Sequence, residues 1–435
     1  MKNPVAEKLL DFMKNSPTRY QVVANFEQRL NDAGYRKLYP EKVWQLENGG
    51  KYYLSPNGTA IMAFRIPDKV SGGFMMAAAH SDSPTFKVKD NAEKASAHYV
   101  QLSTERYGGA LMATWFDRPL SVAGRVLVRG ENGRIAVKLV NIDRDLVIIP
   151  SVAIHMNRNA NAGFEIKANI DTLPLFSDEN GKDAFMRLVA QSAGVAKEDI
   201  LCHDLYLYNR QQPAFLGRND EYIASPKLDD VECAFGCMEG FIAAEESGSI
   251  PVCCVFDNEE VGSETKQGAA ANVLRDTLRR IALALGKSEQ EYLAMIAQSF
   301  MVSADNAHAQ HPNHPEYSDM DNCPYMNRGI VIKFNASQKY TTDGVSAAIF
   351  RQVCKEAGVP VQVFANRSDL AGGGTLGSIA TTKVPVSTVD IGLAQLAMHS
   401  CYETAGAEDI ESLVKAMRVF FSKTMTVENG EYGVE

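Results

Sequence analysis

Short, largely apolar runs alternate along this chain with stretches in which apolar residues recur every three to four positions. The runs at residues 73–79, 252–256, 300–302, 330–334, 361–364 and 384–389 read as buried strands. Residues 269–285, 345–357 and 408–421, which lie between or after them, carry the helical period. Two earlier strands, 52–54 and 60–64, flank the turn-forming Pro56-Asn57-Gly58, and residues 1–14 form an amphipathic helix. Strands and helices in turn predict an α/β fold, a sheet covered by helices on both faces.

The middle of the chain follows another pattern. Residues 92–214 are mainly strand-like, with 125–128 and 135–140 joined by Glu131-Asn132-Gly133, where Asn-Gly favours a tight hairpin. One helical stretch, 183–193, interrupts them. The shift predicts a smaller β-rich domain at 92–217, inserted into an α/β domain made of 1–91 and 218–435.

Composition narrows the function. Over 435 residues, 45% hydrophobic and 22% charged content is that of an ordinary globular protein and excludes disorder or a coiled coil. Its 44 basic and 53 acidic side chains leave a net charge of −9, which argues against a general nucleic-acid or anionic-membrane surface. No segment approaches the roughly 18 apolar residues of a membrane span. The first helix carries Glu7 and Asp11 and lacks the apolar centre of a signal peptide. None of the eight cysteines forms a CxxC pair, so neither a disulfide framework nor a thiolate zinc site is indicated. A cytoplasmic protein is expected.

The chemistry sits in five islands at strand ends or helix starts: His80-Ser81-Asp82, Leu228-Asp229-Asp230, Asp257-Asn258-Glu259-Glu260, Ser303-Ala304-Asp305 and Ala397-Met398-His399-Ser400. Singly, each has a plain explanation as a turn, a helix cap or a solvated acid. Together they place imidazoles and carboxylates where open α/β sheets bind ligands. Two histidines and four carboxylates are the ligand types of a site for two divalent ions. One carboxylate can bridge such ions, and the water they hold is acidified toward a pKa of about 7. A neighbouring carboxylate that is not a ligand then carries the proton; the adjacent Glu259 and Glu260 would divide these roles. Asp82 is placed to accept the ring N–H of His80 and set its tautomer.

In order along the chain, these islands resemble the aspartyl aminopeptidases, dinuclear zinc metallo-aminopeptidases. Further matching segments are Ser16-Pro17-Thr18, Thr114-Trp115-Phe116-Asp117-Arg118, Ala153-Ile154-His155 with Arg158-Asn159, and Ala307-His308-Ala309. The Asp257-to-Ser263 and Ala397-to-Ser400 stretches are the specific ones. The resemblance implies a mixed sheet of the zinc-peptidase type, with the β-rich insert mediating dimerisation and dimers assembling into a tetrahedral dodecamer. It implies that His80 and Asp305 bind one ion, Glu260 and His399 the other, and that Asp229 bridges them. The ions are most readily Zn2+, with Co2+ or Mn2+ as alternatives. Glu259 is then the general base for attack by a water bridged between the ions, and Asp82 orients His80. His155 reaches the substrate from a partner subunit to stabilise the oxyanion.

The substrates implied are peptides with an N-terminal Asp or Glu. His308, Lys333 and Tyr340 match substrate-binding positions, and Lys333 is the candidate countercharge. On its own terms Lys333 would read as a surface lysine on an edge strand. The chain departs from the family pattern at Arg19-Tyr20-Gln21, at Pro119 and at Ala371, which bears on specificity and subunit contacts more than on the ligands. Alternatives are a related dinuclear hydrolase (a broad aminopeptidase or a deacylase) or a catalytically silent assembly protein. His98 and His203 read as structural, and His311 and His314 as part of a polar loop near the pocket.

Overall fold

The computed structural model describes residues 2–435. Its largest sheet has nine strands, ordered Arg36–Lys37, Lys51–Leu54, Ile61–Arg65, Ile250–Phe256, Phe74–His80, Phe300–Ala304, Ser387–Gly392, Ile330–Phe334 and Val361–Ala365. The sheet is mixed. Four adjacent central strands, Ile250–Phe256, Phe74–His80, Phe300–Ala304 and Ser387–Gly392, are mutually parallel and therefore end on one edge.

Period-two geometry explains why residues 74–79 of the central strand are apolar without a break. Met75, Ala77 and Ala79 face one core, while Phe74, Met76 and Ala78 face the other. The first core is closed mainly by helices Pro4–Lys14, Arg19–Asp32, Leu228–Ala243, Gly344–Glu356 and Asp409–Phe421, the second by Val273–Ala284 and Glu289–Ala297. Helix Leu228–Ala243 is buried almost all round. A Cβ at its Gly236 or Gly240 would fall 2.6 Å from Leu413 or 2.5 Å from Met417, so the bare backbone lets Asp409–Phe421 lie directly against it. Phe241 and Phe421 meet edge to face there, with ring centres 5.3 Å apart. Truncating Phe241 to Ala would cost about 3–5 kcal/mol.

A second, antiparallel sheet takes its six strands from residues 85–209, in the order Ile135–Asn141, Leu120–Arg129, Ile200–Asn209, Thr85–Ser96, Tyr99–Tyr107 and Leu175–Asp178. Its inner face packs on helix Phe185–Ala193. Asn132 and Gly133 take positive φ at the hairpin tip, as Asn-Gly was expected to. Ile135, Val137 and Leu139, alternate residues of one edge strand, are exposed. A third sheet of five short strands joins Ala214–Leu216 and Tyr222–Ser225 to Glu403–Gly406, Ala394–Leu396 and Ala307–His308.

Most sequence-derived elements fall within a few residues of their expected places. The apolar run 384–389 is a correction: its strand is Ser387–Gly392, three residues later. Pro385 has no N–H to give a ladder, and the strand begins beyond it. Helices Arg19–Asp32 and Glu289–Ala297 were not anticipated. Among the described residues no helix is long and apolar enough to cross a membrane.

Candidate metal centre

The five islands converge at the carboxyl edge of the parallel strands. His80 is the last residue of its strand and pairs in register with Phe256, which puts Asp257 to Glu260 beside it. Asp305 follows strand Phe300–Ala304 directly. Asp229 sits in the first turn of helix Leu228–Ala243 with extended rather than helical backbone, and its bond to Asp230 is cis. His399 lies in a loop with φ 67°.

Two groups of ligand-type atoms result, His80 with Asp229 and Asp305, and Asp229 with Glu260 and His399. Asp229 belongs to both. His80 Nε2 is 3.6 Å from Asp229 Oδ1, and His399 Nε2 is 3.3 Å from both Asp229 Oδ2 and Glu260 Oε2. The other ring nitrogens face acceptors. His80 Nδ1 lies 3.1 Å from the Asp82 carbonyl oxygen and 3.4 Å from Asp82 Oδ1, and His399 Nδ1 lies 3.2 Å from the Gly109 carbonyl oxygen. An N–H on Nδ1 leaves the Nε2 lone pair of each ring directed at the carboxylates.

That arrangement calls for cations. Asp229 Oδ1 and Glu260 Oε1 are buried without a hydrogen-bond partner, which is costly for carboxylate oxygens. Burial first, and then the neighbouring carboxylates, Asp229 foremost, hold the Glu260 pKa well above its ordinary value. Glu259 is lifted to about 7 by burial, with His80 opposing and Asp305, Asp82 and Asp229 adding to the rise. Two imidazole nitrogens with three carboxylates fit divalent ions that accept mixed N and O ligands.

A cleft of about 580 Å3 opens over these groups. Its lining also includes Glu259, His308, Lys333, Tyr340 and Gly374. Lys333 is not on an edge strand: it is 2% exposed, lies on a strand flanked by two others, and donates to the Asn306 carbonyl oxygen at 2.9 Å. Its ammonium is 3.7 Å from Asp305 Oδ1 and 5.4 Å from the centre of the Tyr340 ring. His155 is elsewhere, in an exposed turn between Val152 and Met156, and does not line the cleft of its own chain. His98, His203, His311 and His314 do not line it either; His203 is buried in the second sheet, and the others are exposed.

Sequence reasoning missed Glu403. This buried carboxylate accepts from the backbone N–H of Asp229 at 3.1 Å and of His399 at 2.7 Å, joining the segments that carry two ligand-type residues. It also missed Gly109, where a Cβ would come 3.2 Å from His399 Nδ1. A glycine pair following strand Tyr99–Tyr107 was the available signal for such a close approach.

Comparison with known proteins addresses the chain as a whole. Residues 12–421 match the family model described as aminopeptidase I zinc metalloprotease (M18). A probable M18 family aminopeptidase 2 from Clostridium acetobutylicum is 42% identical, covering 97% of this chain and 100% of that protein. Among solved structures, one in the cryo-EM complex of Ape4 and Nbr1 superposes with a TM-score of 0.93 at 34% identity, over 96% of this chain and 85% of that one. The S. cerevisiae mApe1 dodecamer gives 0.84 at 28% identity, over 96% of both chains.

Proposed function

The chain belongs to the M18 zinc metalloproteases and is a metallo-aminopeptidase, and from that premise we propose that it removes acidic residues, Asp or Glu, from peptide N-termini. The observation that carries the proposal is the buried Lys333, beside Tyr340, in the same cleft as the two ligand groups. Its ammonium offers a charge-assisted partner to a side-chain carboxylate on the first residue of a substrate.

In this reading His80 and Asp305 would hold one ion, Glu260 and His399 a second, with Asp229 common to both groups. Divalent ions held there, most readily Zn2+, would supply Lewis-acid polarisation of a carbonyl and a water of lowered pKa. Glu259 faces the cleft and belongs to neither ligand group. A carboxylate that is not a ligand can take a proton from water and return it to the leaving amine. Asp82 holds His80 in its tautomer and also accepts the backbone N–H groups of Glu259 at 3.1 Å and Glu260 at 3.2 Å, so one carboxylate aligns base and ligands. His308 lines the pocket beside Lys333.

The region 92–217 is proposed as the assembly domain. The apolar edge formed by Ile135, Val137 and Leu139 supports it, since a monomer gains nothing from leaving such a strand bare. The likeness to the mApe1 dodecamer extends the proposal to dimers built up into a tetrahedral dodecamer. His155 would then act in the cleft of a neighbouring subunit, where an imidazole can stabilise a developing oxyanion.

The deciding experiment is release from peptides that differ only in the first residue, using chelated and zinc-restored protein. Acidic residues should be released fastest, and only with metal. Equal release of neutral residues would point to a broad aminopeptidase, and cleavage confined to acylated small amides to a deacylase. Sedimentation of the same preparation tests the assembly: a monomer with full activity would remove the role given to His155.

A further inference from the structure

Arg19 stands 61 positions before His80 in the sequence, yet it lines a pocket with Ser81, Asp82 and Glu403, neighbours of the candidate metal centre. It opens helix Arg19–Asp32 and is buried, with Nη1 3.0 Å from Asp257 Oδ1. The guanidinium carbon lies 4.3 Å from the centre of the Tyr107 ring and 4.4 Å from that of Tyr206. The Tyr107 hydroxyl donates to Asp82 Oδ2 at 2.6 Å and accepts from Asn258 Nδ2 at 2.8 Å. Arg19 therefore meets the loop at residues 257–260 along two routes: directly at Asp257, and through Tyr107 at Asp82, which holds the backbone of Glu259 and Glu260.

Burying a guanidinium is expensive unless its charge and its faces are both matched. Here the ion pair matches the charge, and the guanidinium also rests against Tyr107 and Tyr206, whose rings meet edge to face with centres 5.8 Å apart, contacts that the compact ammonium of lysine does not reproduce. We propose that Arg19 is a positioning residue for the reaction, holding the loop that carries Glu259 and Glu260 in place against the two ion sites. This rests on the roles given above to those two glutamates, and extends them to a residue of another helix and a tyrosine of the second sheet.

The test uses full-length, zinc-loaded protein and the variants Arg19→Met, Arg19→Lys, Tyr107→Phe, Asp257→Asn and the double variant Arg19→Met/Tyr107→Phe. Two quantities are read: zinc affinity of the weaker site, by competition with a coloured chelator, and kcat and KM on whichever N-terminal residue the wild type releases fastest. Residues that support metal ligands typically change affinity or activity by about 10–100-fold, and Arg19→Met should fall in that range, with the loss in kcat rather than KM. Arg19→Lys should remain defective. The double variant should lose less than the product of the two single losses, because both act on one loop. Wild-type zinc affinity and kcat alongside a lowered melting temperature would make Arg19 a packing residue between the sheets and overturn the proposal, as would fully multiplicative losses. If Arg19→Met does not fold, Tyr107→Phe and Asp257→Asn decide, one for each route: unchanged affinity and kcat in both overturn the proposal. Should the wild type prefer neutral residues, the substrate reading falls while the zinc titration still judges Arg19.

Discussion

The two halves of the candidate metal centre share Asp229 but are built differently. His80 ends a strand flanked by parallel neighbours, and its side chain is 1% exposed. His399 stands in a loop, its side chain 32% exposed, tied down by Glu403 and the Gly109 carbonyl. The inner half is thus a product of the sheet, which cannot move without breaking its ladder. The outer half depends on a few hydrogen bonds at the rim. Sites drawn from loops are the ones that open locally at low cost, so the halves should differ in how firmly they keep an ion.

The largest effect should leave that asymmetry intact. Glu259→Gln should lower kcat by about 10²–10⁴-fold while both zinc ions stay bound, since in the role proposed above Glu259 carries a proton and holds no ion; elemental analysis beside the rate assay checks it, and loss of metal in proportion to activity would place Glu259 among the ligands. Next in size, graded chelation should draw off one ion before the other. His399→Ala should bring that first release to roughly tenfold lower chelator or more, with the inner ion retained. Simultaneous loss of both ions in the wild type would break the comparison.

A smaller change concerns the pocket wall beside the inner half. Lys333→Met should weaken kcat/KM for acidic N-termini by roughly 10–100-fold, the worth of a charged hydrogen bond of about 1.5–3 kcal/mol, and neutral ones much less. A uniform loss would remove Lys333 as countercharge. The smallest effect lies beneath the inner half, where Glu232 is buried with Oε1 unpartnered and burial lifts its pKa to about 8. The folded chain then keeps a proton that the unfolded chain gives up in the ordinary glutamate range. Stability from this group is complete below that range and is lost as pH rises toward 8. Glu232→Gln should therefore gain a few degrees of melting temperature on wild type between pH 5 and pH 8.5; a constant difference would show that Glu232 does not titrate in that window.

Much of this site was legible because local chemistry marks it. An apolar run that stops at His80, or at Ser303-Ala304-Asp305, announces both a strand and a group placed at its end. What escaped reading is held by partners distant in sequence. Glu403 looks like any acid in a strand until its two backbone partners are known, and Tyr107 like an ordinary strand aromatic. Lys333 could not be called buried from Ile332-Lys333-Phe334 alone, because burial depends on the strands placed on either side of it. The late start of Ser387–Gly392 shows the opposite limit, an apolar run whose ladder is decided by a single Pro385.

Lys333 has one more consequence, through its 3.7 Å approach to Asp305. The same ammonium faces a ligand-type carboxylate and an open pocket, so an anion entering that pocket shares a cation already leaning on the ion site. Occupancy of the two places is then thermodynamically linked. Whatever factor an acidic ligand imposes on metal affinity, the metal imposes on that ligand. Inhibition by free aspartate or glutamate should accordingly vary with zinc concentration, and the direction of the change reports whether Asp305 binds its ion better with the lysine near or drawn away.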